Sequence, residues 1–213
     1  MCVGLGQPIQ DKFTASGTNK MVTLATQRKF REALRCAARW HAQQFRKGTK
    51  VPYIAHLLGV ASLVLEDGGN TNQAIAALLH DAVEDQGGRR RYAEIRSRFG
   101  PRVAAIVKGC TDDGYQLPKP SWRLRKKRYL QHLEHASLSV LRVSLADKLH
   151  NARAILPDHR RVGNRVWRRF NAPPRDELRY YRELAHCFER RLPGAMAAEL
   201  SRCVRAMTAL GSH

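Results

Sequence analysis

Acidic side chains are in short supply in this chain: 18 Asp and Glu stand against 38 Lys and Arg, a formal net charge of +20. A field of that sign attracts polyanions such as RNA, DNA, anionic surfaces or small phosphorylated ligands, without choosing among them. Aromatic residues are also few, at 7%, yet hydrophobic residues reach 43% of the 213 positions. That is too much apolar material for a disordered chain and enough for a core. No apolar run approaches the roughly 18 residues of a membrane helix, which excludes an integral helical membrane protein. The opening MCVGLGQPIQDKF has no basic start followed by an apolar stretch, so no secretory signal is expected. The five cysteines, at 2, 36, 110, 187 and 203, are odd in number and form no C-x-x-C pair. This excludes a disulfide framework and a zinc ribbon and points to reduced thiols in the cytoplasm, with Cys36 and Cys110 packed inside.

Alternating strand patterns and internal repeats are missing too. Residues 1–25 read as a flexible N-terminal extension, with Met21 a natural alternative start, and the closing Gly211, Ser212 and His213 read as a tag remnant. Helical periodicity begins at Thr26, taken as an N-cap. From there Phe30, Ala33, Leu34, Ala37, His41 and Phe45 share one face. Further helices are expected over 53–67, 72–85, 91–99, 102–110, 121–136 and 140–156, then 177–192 and 195–210. The basic stretch 157–175 reads as a loop. The expectation is an all-α bundle forming a single domain over 26–210.

Several of these helices carry polar residues where the pattern calls for apolar ones. His56 lies among Ile54, Leu57, Leu58 and Val60. The pair His80-Asp81 follows Ala76-Ala77-Leu78-Leu79, and Glu84-Asp85 closes the same segment. Asp147 sits inside VLRVSLADKL, with Asn151 one turn on. An isolated carboxylate in such a run costs several kcal/mol, of order 3–5, unless a counter-charge or metal meets it. Taken singly, His56 reads as a hydrogen-bonded core histidine and Glu84 and Asp85 as surface acids. Taken together, two His and two Asp suit Mn²⁺, Fe²⁺, Zn²⁺ or Mg²⁺ with positions left open, and spacing alone does not select the metal.

The order H…HD…D resembles the HD superfamily of metal-dependent phosphohydrolases. Further stretches are similar to the hydrolase domain of RelA/SpoT-type alarmone enzymes and the stand-alone small alarmone hydrolases. These are RKGTKVPYIAH (46–56), AALLHDAVED (76–85), FGPRVAAIVK (99–108), TDD (111–113), LPK (117–119), RKKRYLQHLEHA (125–136) and LADKLHNAR (145–153). The resemblance implies an HD-domain helical bundle holding one Mn²⁺ and removing the 3′-pyrophosphate of ppGpp or pppGpp to leave GDP or GTP. It implies His56, His80, Asp81 and Asp147 as metal ligands and Glu84 and Asp85 as the residues that orient or deprotonate water. Asn151 would stand beside the 3′ phosphates, and Arg46 and Lys47 match the basic pair that flanks the nucleotide. Tyr53, Lys119 and Arg125 complete the expected substrate-binding set. Asp112 and Asp113, beside the basic run 119–128, read either as a substrate-side wall or, for 123–128, as a solvated helix face.

The chain departs from that pattern in two places. One extra residue separates Arg46-Lys47 from Pro52, and 213 residues leave no room for a synthetase domain, so hydrolysis alone is implied. The segment RRVGNRVWRRF (160–170) lies outside the shared motifs and could close over substrate, form a homodimer face or bind nucleic acid. Two other functions fit the same text. One is a phosphatase of another nucleotide, such as the 2′-phosphate of NADPH or a 5′-nucleotide. The other is a basic RNA-binding protein on an HD scaffold, with charge clusters at 89–91, 123–128, 160–161 and 168–169.

Overall fold

The computed structural model describes residues 24–112 and 120–210, with side chains from Gln27 onward. Residues 1–23, Asp113, Lys119 and the closing Gly-Ser-His, with the expectations placed on them, lie outside the described residues. In chain order the helices are α1 (Leu24–Trp40), α2 (Ile54–Glu66), α3 (Thr71–Leu79), α4 (Ala82–Asp85), α5 (Gly88–Phe99), α6 (Pro101–Cys110), α7 (Trp122–Leu133) and α8 (Leu138–Val162). A 3-10 segment (Gly163–Arg169), α9 (Pro174–Arg191) and α10 (Ala195–Leu210) follow. The all-α expectation holds among the described residues, which contain no strand and only one isolated bridge, Phe45 with Pro52.

Two helices organise the rest. α3 is apolar all round from Ala74 to Leu79 and is accordingly central, packing on α1, α2, α6 and α8. Its start is secured by a capping box: the Asn70 side chain accepts from the Gln73 amide and the Gln73 side chain accepts from the Asn70 amide. α8 packs on α2, α3, α6, α9 and α10. Leu141, Leu145 and Leu149 are fully buried along its inner face, each worth about 1.5–3 kcal/mol of burial. α8 is buried on Asp147's own face as well, with Val143 and Ser144 one turn before it almost fully enclosed, and this carries Asp147 into the interior. No helix among the described residues is long and apolar enough to cross a membrane.

Several helix ends shift by two or three residues from expectation, and four differences shape the fold. α1 already includes Thr26, because Leu24 and Ala25 continue the helix before it. α1 also stops at Trp40 rather than running to Phe45. The chain turns there, and the Arg46 amide donates to Val51 O (2.8 Å) and the Tyr53 amide to Gln44 O (2.9 Å), leaving Phe45 52% exposed. The segment expected as one helix over 72–85 breaks at His80-Asp81, where the His80 imidazole bonds the Ala77 carbonyl (2.8 Å). Finally, the stretch from 157 is not a loop at its start. α8 continues through Pro157 to Val162, because a proline removes one donor while Ile155, Val166 and Trp167 stay buried and hold the segment down. Gly163, at φ +61°, ends the helix in a conformation that favours glycine. Of the two cysteines expected inside, Cys36 is buried and Cys110 half-buried, and both are free.

Candidate active site

The break after α3 is what assembles the site. Because the helix stops at Leu79, His80 and Asp81 both face inward, towards His56 of α2 and Asp147 of α8. His56 Nε2 lies 3.2 Å from Asp147 Oδ1 and 3.6 Å from Asp81 Oδ2; His80 Nε2 lies 2.9 Å from Asp81 Oδ2 and 3.7 Å from Asp147 Oδ1. The candidate ligand atoms of His56, His80 and Asp147 all fall within 4.8 Å of one another, and all three residues are buried.

The outward atoms of these side chains are committed. His80 Nδ1 must carry the hydrogen it gives to the Ala77 carbonyl, so Nε2 is the atom that faces the carboxylates, with its own proton or, once that leaves, a lone pair for an ion. His56 Nδ1 meets His150 Nδ1 at 3.0 Å. Burial, and then the charge of His56, lower the His150 pKa to about 4, so a neutral His150 can accept from His56 and again free an Nε2 lone pair. Asp147 Oδ2 accepts from Lys148 Nζ (2.7 Å) and Oδ1 from Asn151 Nδ2 (2.6 Å); Asp81 Oδ2 accepts from the Tyr53 hydroxyl (2.6 Å). What remains is two buried imidazole nitrogens, each without a hydrogen-bond partner, aimed at two carboxylates. That donor set fits a divalent cation, with the outward bonds serving as the supports that orient each ligand.

The electrostatics agree. Burial opposes charge on His80, but the Asp81 and Asp147 carboxylates outweigh it and hold the imidazole well above its usual range. Burial likewise opposes ionisation of Asp81 and Asp147. His80 with His56 for the first, and Lys148 with the two imidazoles for the second, nonetheless hold both well below theirs. The pocket thus demands positive charge between two ionised carboxylates, which a proton on His80 or a dication can supply.

Glu84 and Asp85 sit one turn beyond, on α4. Burial, then the carboxylates of Asp112 and Asp81, push Glu84 up to about 7; burial, then Asp81, push Asp85 up to about 6. Acids in that range can take up a proton near neutral pH. Glu84 Oε1 lies 4.0 Å from Arg125, and Asp85 Oδ2 accepts from Gln44 Nε2 (2.8 Å).

Beside the cluster opens a cleft of about 360 Å³. Of the expected substrate-binding residues, Arg46, Lys47, Tyr53, Arg125 and Asn151 line it, as does Glu84. Asp85 and the four candidate ligands do not. The basic run of α7 divides between the two readings given for it. Arg125 is buried and bonds the Asp112 carboxylate, whereas Arg123 has a largely exposed side chain paired with Asp176. The far wall was anticipated only in part: Val166, Arg169 and Phe170 fall in the 160–170 segment read as able to close over substrate, whereas Lys148 and Ile155 of α8, Asn171, and Glu177, Tyr180 and Tyr181 of α9 were missed. The available signal was the i, i+3, i+4 spacing of the three α9 residues, which puts them on one helix face. Lys47 Nζ reaches Asn171 Oδ1 (2.7 Å) and ties this wall to the opposite loop. Burial drives the Glu177 carboxyl to about 7 against the pull of Lys126, Lys148 and Lys47.

Comparison with known proteins places these features. A family model described as HD domain matches residues 33–172. The chain is 46% identical over 125 residues to "Guanosine-3′,5′-bis(diphosphate) 3′-pyrophosphohydrolase MESH1" of Xenopus tropicalis, covering 57% of this chain and 66% of that protein, just under two thirds of its length. It is 35% identical over 128 residues to the Drosophila melanogaster protein of the same name, covering 59% and 68%. A solved structure described as "A metazoan ortholog of SpoT hydrolyzes ppGpp and plays a role in starvation responses" superposes with a TM-score of 0.68 at 25% identity, covering 84% of this chain and 94% of that one. A second, lmo0812 from Listeria monocytogenes EGD-e, gives 0.64 at 27% identity, covering 72% and 99%. The family implies a divalent metal, and His56, His80 and Asp147 form a cluster that could hold one. With the family match extending over well over half its length, the chain belongs to the HD domain family.

Proposed function

We propose that this chain is a Mn²⁺-dependent hydrolase that removes the 3′-pyrophosphate of ppGpp and pppGpp, giving GDP or GTP and pyrophosphate. The observation that carries the reading is the position of the histidine–aspartate cluster beside a cleft lined by bases and by a carboxyl titrating near neutrality. The names of the relatives support the substrate.

In this reading His56, His80, Asp81 and Asp147 hold the ion. A divalent metal there supplies Lewis-acid stabilisation of phosphoryl charge and makes water more acidic. The rest falls to the chain's own side chains. Arg46, Lys47, Lys126 and Arg125 offset the phosphate charge, and Tyr53 and Asn151 keep Asp81 and Asp147 oriented while bordering the substrate. Lys119 belongs to the same substrate set. Hydrolysis breaks the bond between ribose O3′ and its phosphorus, and the water oxygen joins that phosphorus. Glu84, assisted by Asp85, takes the water proton, which is the one finally needed on the departing O3′. The active unit is a single domain over 26–210 working in the cytoplasm, where its free cysteines stay reduced.

Incubating the protein with ppGpp, with Mn²⁺ or with EDTA, followed by anion-exchange separation, tests the reading. GDP and pyrophosphate formed only with Mn²⁺ is the expected result. A Mn²⁺-loaded protein that leaves ppGpp intact overturns it, and release of phosphate from NADPH in the same assay would install the other nucleotide reading. Steeply salt-dependent RNA binding without any hydrolysis would favour the polyanion scaffold.

A further inference from the structure

One side chain in the cleft has no role in that scheme. Glu177 borders the cleft with a residue exposure of 5%, yet among the described residues its carboxyl group makes no hydrogen bond and no ion pair. The three lysines whose charge it feels are engaged elsewhere: Lys126 with Asp112 (3.1 Å), Lys148 with Asp147 (2.7 Å) and Lys47 with Asn171 (2.7 Å). Nor does the start of α9 require it, since Asp176 already supplies an acid to that first turn and pairs with Arg123. A desolvated carboxylate without partners costs free energy until something donates to both its oxygens.

The surroundings narrow what that donor is. The cleft's charged groups near Glu177 are mostly cationic and suit phosphates, whereas Ile155, Val166 and Phe170 offer apolar and aromatic surface of the kind a flat base stacks on. In its ionised form, dominant above pH 7, this carboxyl is an acceptor only. Guanine presents two adjacent donors, N1–H and the 2-amino group, on one edge. Adenine and cytosine put an acceptor beside a single donor, and uracil flanks its one N–H with carbonyls. We propose that Glu177 is a specificity-determining residue that accepts from the N1–H and 2-amino group of a guanine base, a role that rests on the nucleotide reading above and names the group that selects the base.

Calorimetric titration of the protein with GDP, IDP, ADP and 2′-deoxy-GDP, in Mn²⁺ at pH 8, tests this without requiring turnover. GDP is expected to bind at least about tenfold more tightly than ADP, with IDP between them and 2′-deoxy-GDP close to GDP. In Glu177→Gln the GDP-to-ADP ratio should fall to about threefold or less, while Glu177→Asp, which keeps the charge, should retain more of it. Wild-type protein that binds ADP as tightly as GDP, or binds neither, overturns the assignment, and so does a folded Glu177→Gln with undiminished discrimination. Selective loss with 2′-deoxy-GDP would move Glu177 to the ribose and equally overturn it. If guanine selectivity is present but ppGpp is not hydrolysed, the base-reading role stands and the alarmone activity falls. Should the Gln variant fail to fold, Glu177→Asp decides, since a GDP-to-ADP ratio fully equal to wild type there overturns the assignment.

Discussion

The metal end and the α9 wall of the same cleft are built on opposite plans. At the metal end nearly every polar atom is tied down. Both Asp147 oxygens, the Asp81 Oδ2, the His80 Nδ1 and the His56 Nδ1 each have a partner, and the two buried Nε2 atoms are left without a hydrogen bond, aimed at the carboxylates. At the α9 wall, among the described residues, the Tyr180 hydroxyl is buried without a partner, and the Glu177 carboxylate borders the cleft with no side-chain hydrogen bond. The first arrangement suits an ion, because the groups that would hold one already have supports on their outward side. The second recovers its desolvation cost only when a ligand arrives. Damage to the metal end should therefore cost turnover outright, whereas damage to the α9 wall should trade selectivity against stability.

The largest effect is expected from the ligands themselves. His80→Ala or Asp147→Ala should lose Mn²⁺ and turnover together, beyond the ~10–100-fold typical of losing a mere supporting partner. Metal analysis beside a ppGpp assay checks this, and full metal content with full turnover in either variant would remove that residue from the site. Next comes the pair Glu84→Ala with Asp85→Ala, which should keep the metal and slow turnover by about 10²–10⁴-fold. Because wild-type Glu84 titrates near 7 and Asp85 near 6, and the ionised form is the one that takes a proton, kcat/KM should rise between pH 5 and 8. A flat wild-type profile over that interval would separate these acids from the chemistry.

The contrast sharpens at a residue that touches neither substrate nor metal. A Cβ added at Gly59 would lie 2.3 Å from the His150 ring, so Gly59→Ala must displace the imidazole that holds His56. Mn²⁺ affinity, read by chelator competition, should weaken by about 10–100-fold. Unchanged affinity would show that His56 needs no support from His150.

How far the two ends could be read from sequence follows from the same difference. His56, His80, Asp81 and Asp147 were legible because each interrupts an apolar run, and a charge among leucines demands an explanation. The helix break at His80 was not, since Ala76 to Asp85 reads as continuous helix and the stop comes from a side-chain bond to Ala77. Asn151 was expected at the phosphates, yet its amide donates to Asp147, a contact that one-turn spacing on α8 allows but does not announce. His150 was silent because a polar residue in KLHN looks like the outer face of a helix. Its partnership with His56 depends on α2 carrying a glycine just where α8 crosses. Glu177 was silent for a different reason: an acid in the first turn of a helix already has a local explanation, and only the fold shows that Asp176 has taken that part.

The smallest expected effect tests that wall from the side of stability. Folding raises the Glu177 pKa from 4.5 to about 7, burial outweighing Lys126 of α7, Lys148 of α8 and Lys47 of the loop before α2, with Asp176 adding to the rise. A carboxyl whose folded pKa lies above its unfolded value binds more protons in the folded state, so stability falls as pH climbs from about 4.5 to 7 and stays reduced above that. By the usual conversion the penalty at pH 8 is at most about 3 kcal/mol. Glu177→Gln, which cannot ionise, should therefore melt higher than wild type at pH 8 and within a degree or two of it at pH 4.5. Saturating GDP should close the gap at pH 8 by stabilising wild type more than the variant. A variant that melts lower than wild type at pH 8 would mean that the lysines already satisfy this carboxylate, and the α9 wall would then be as self-contained as the metal end.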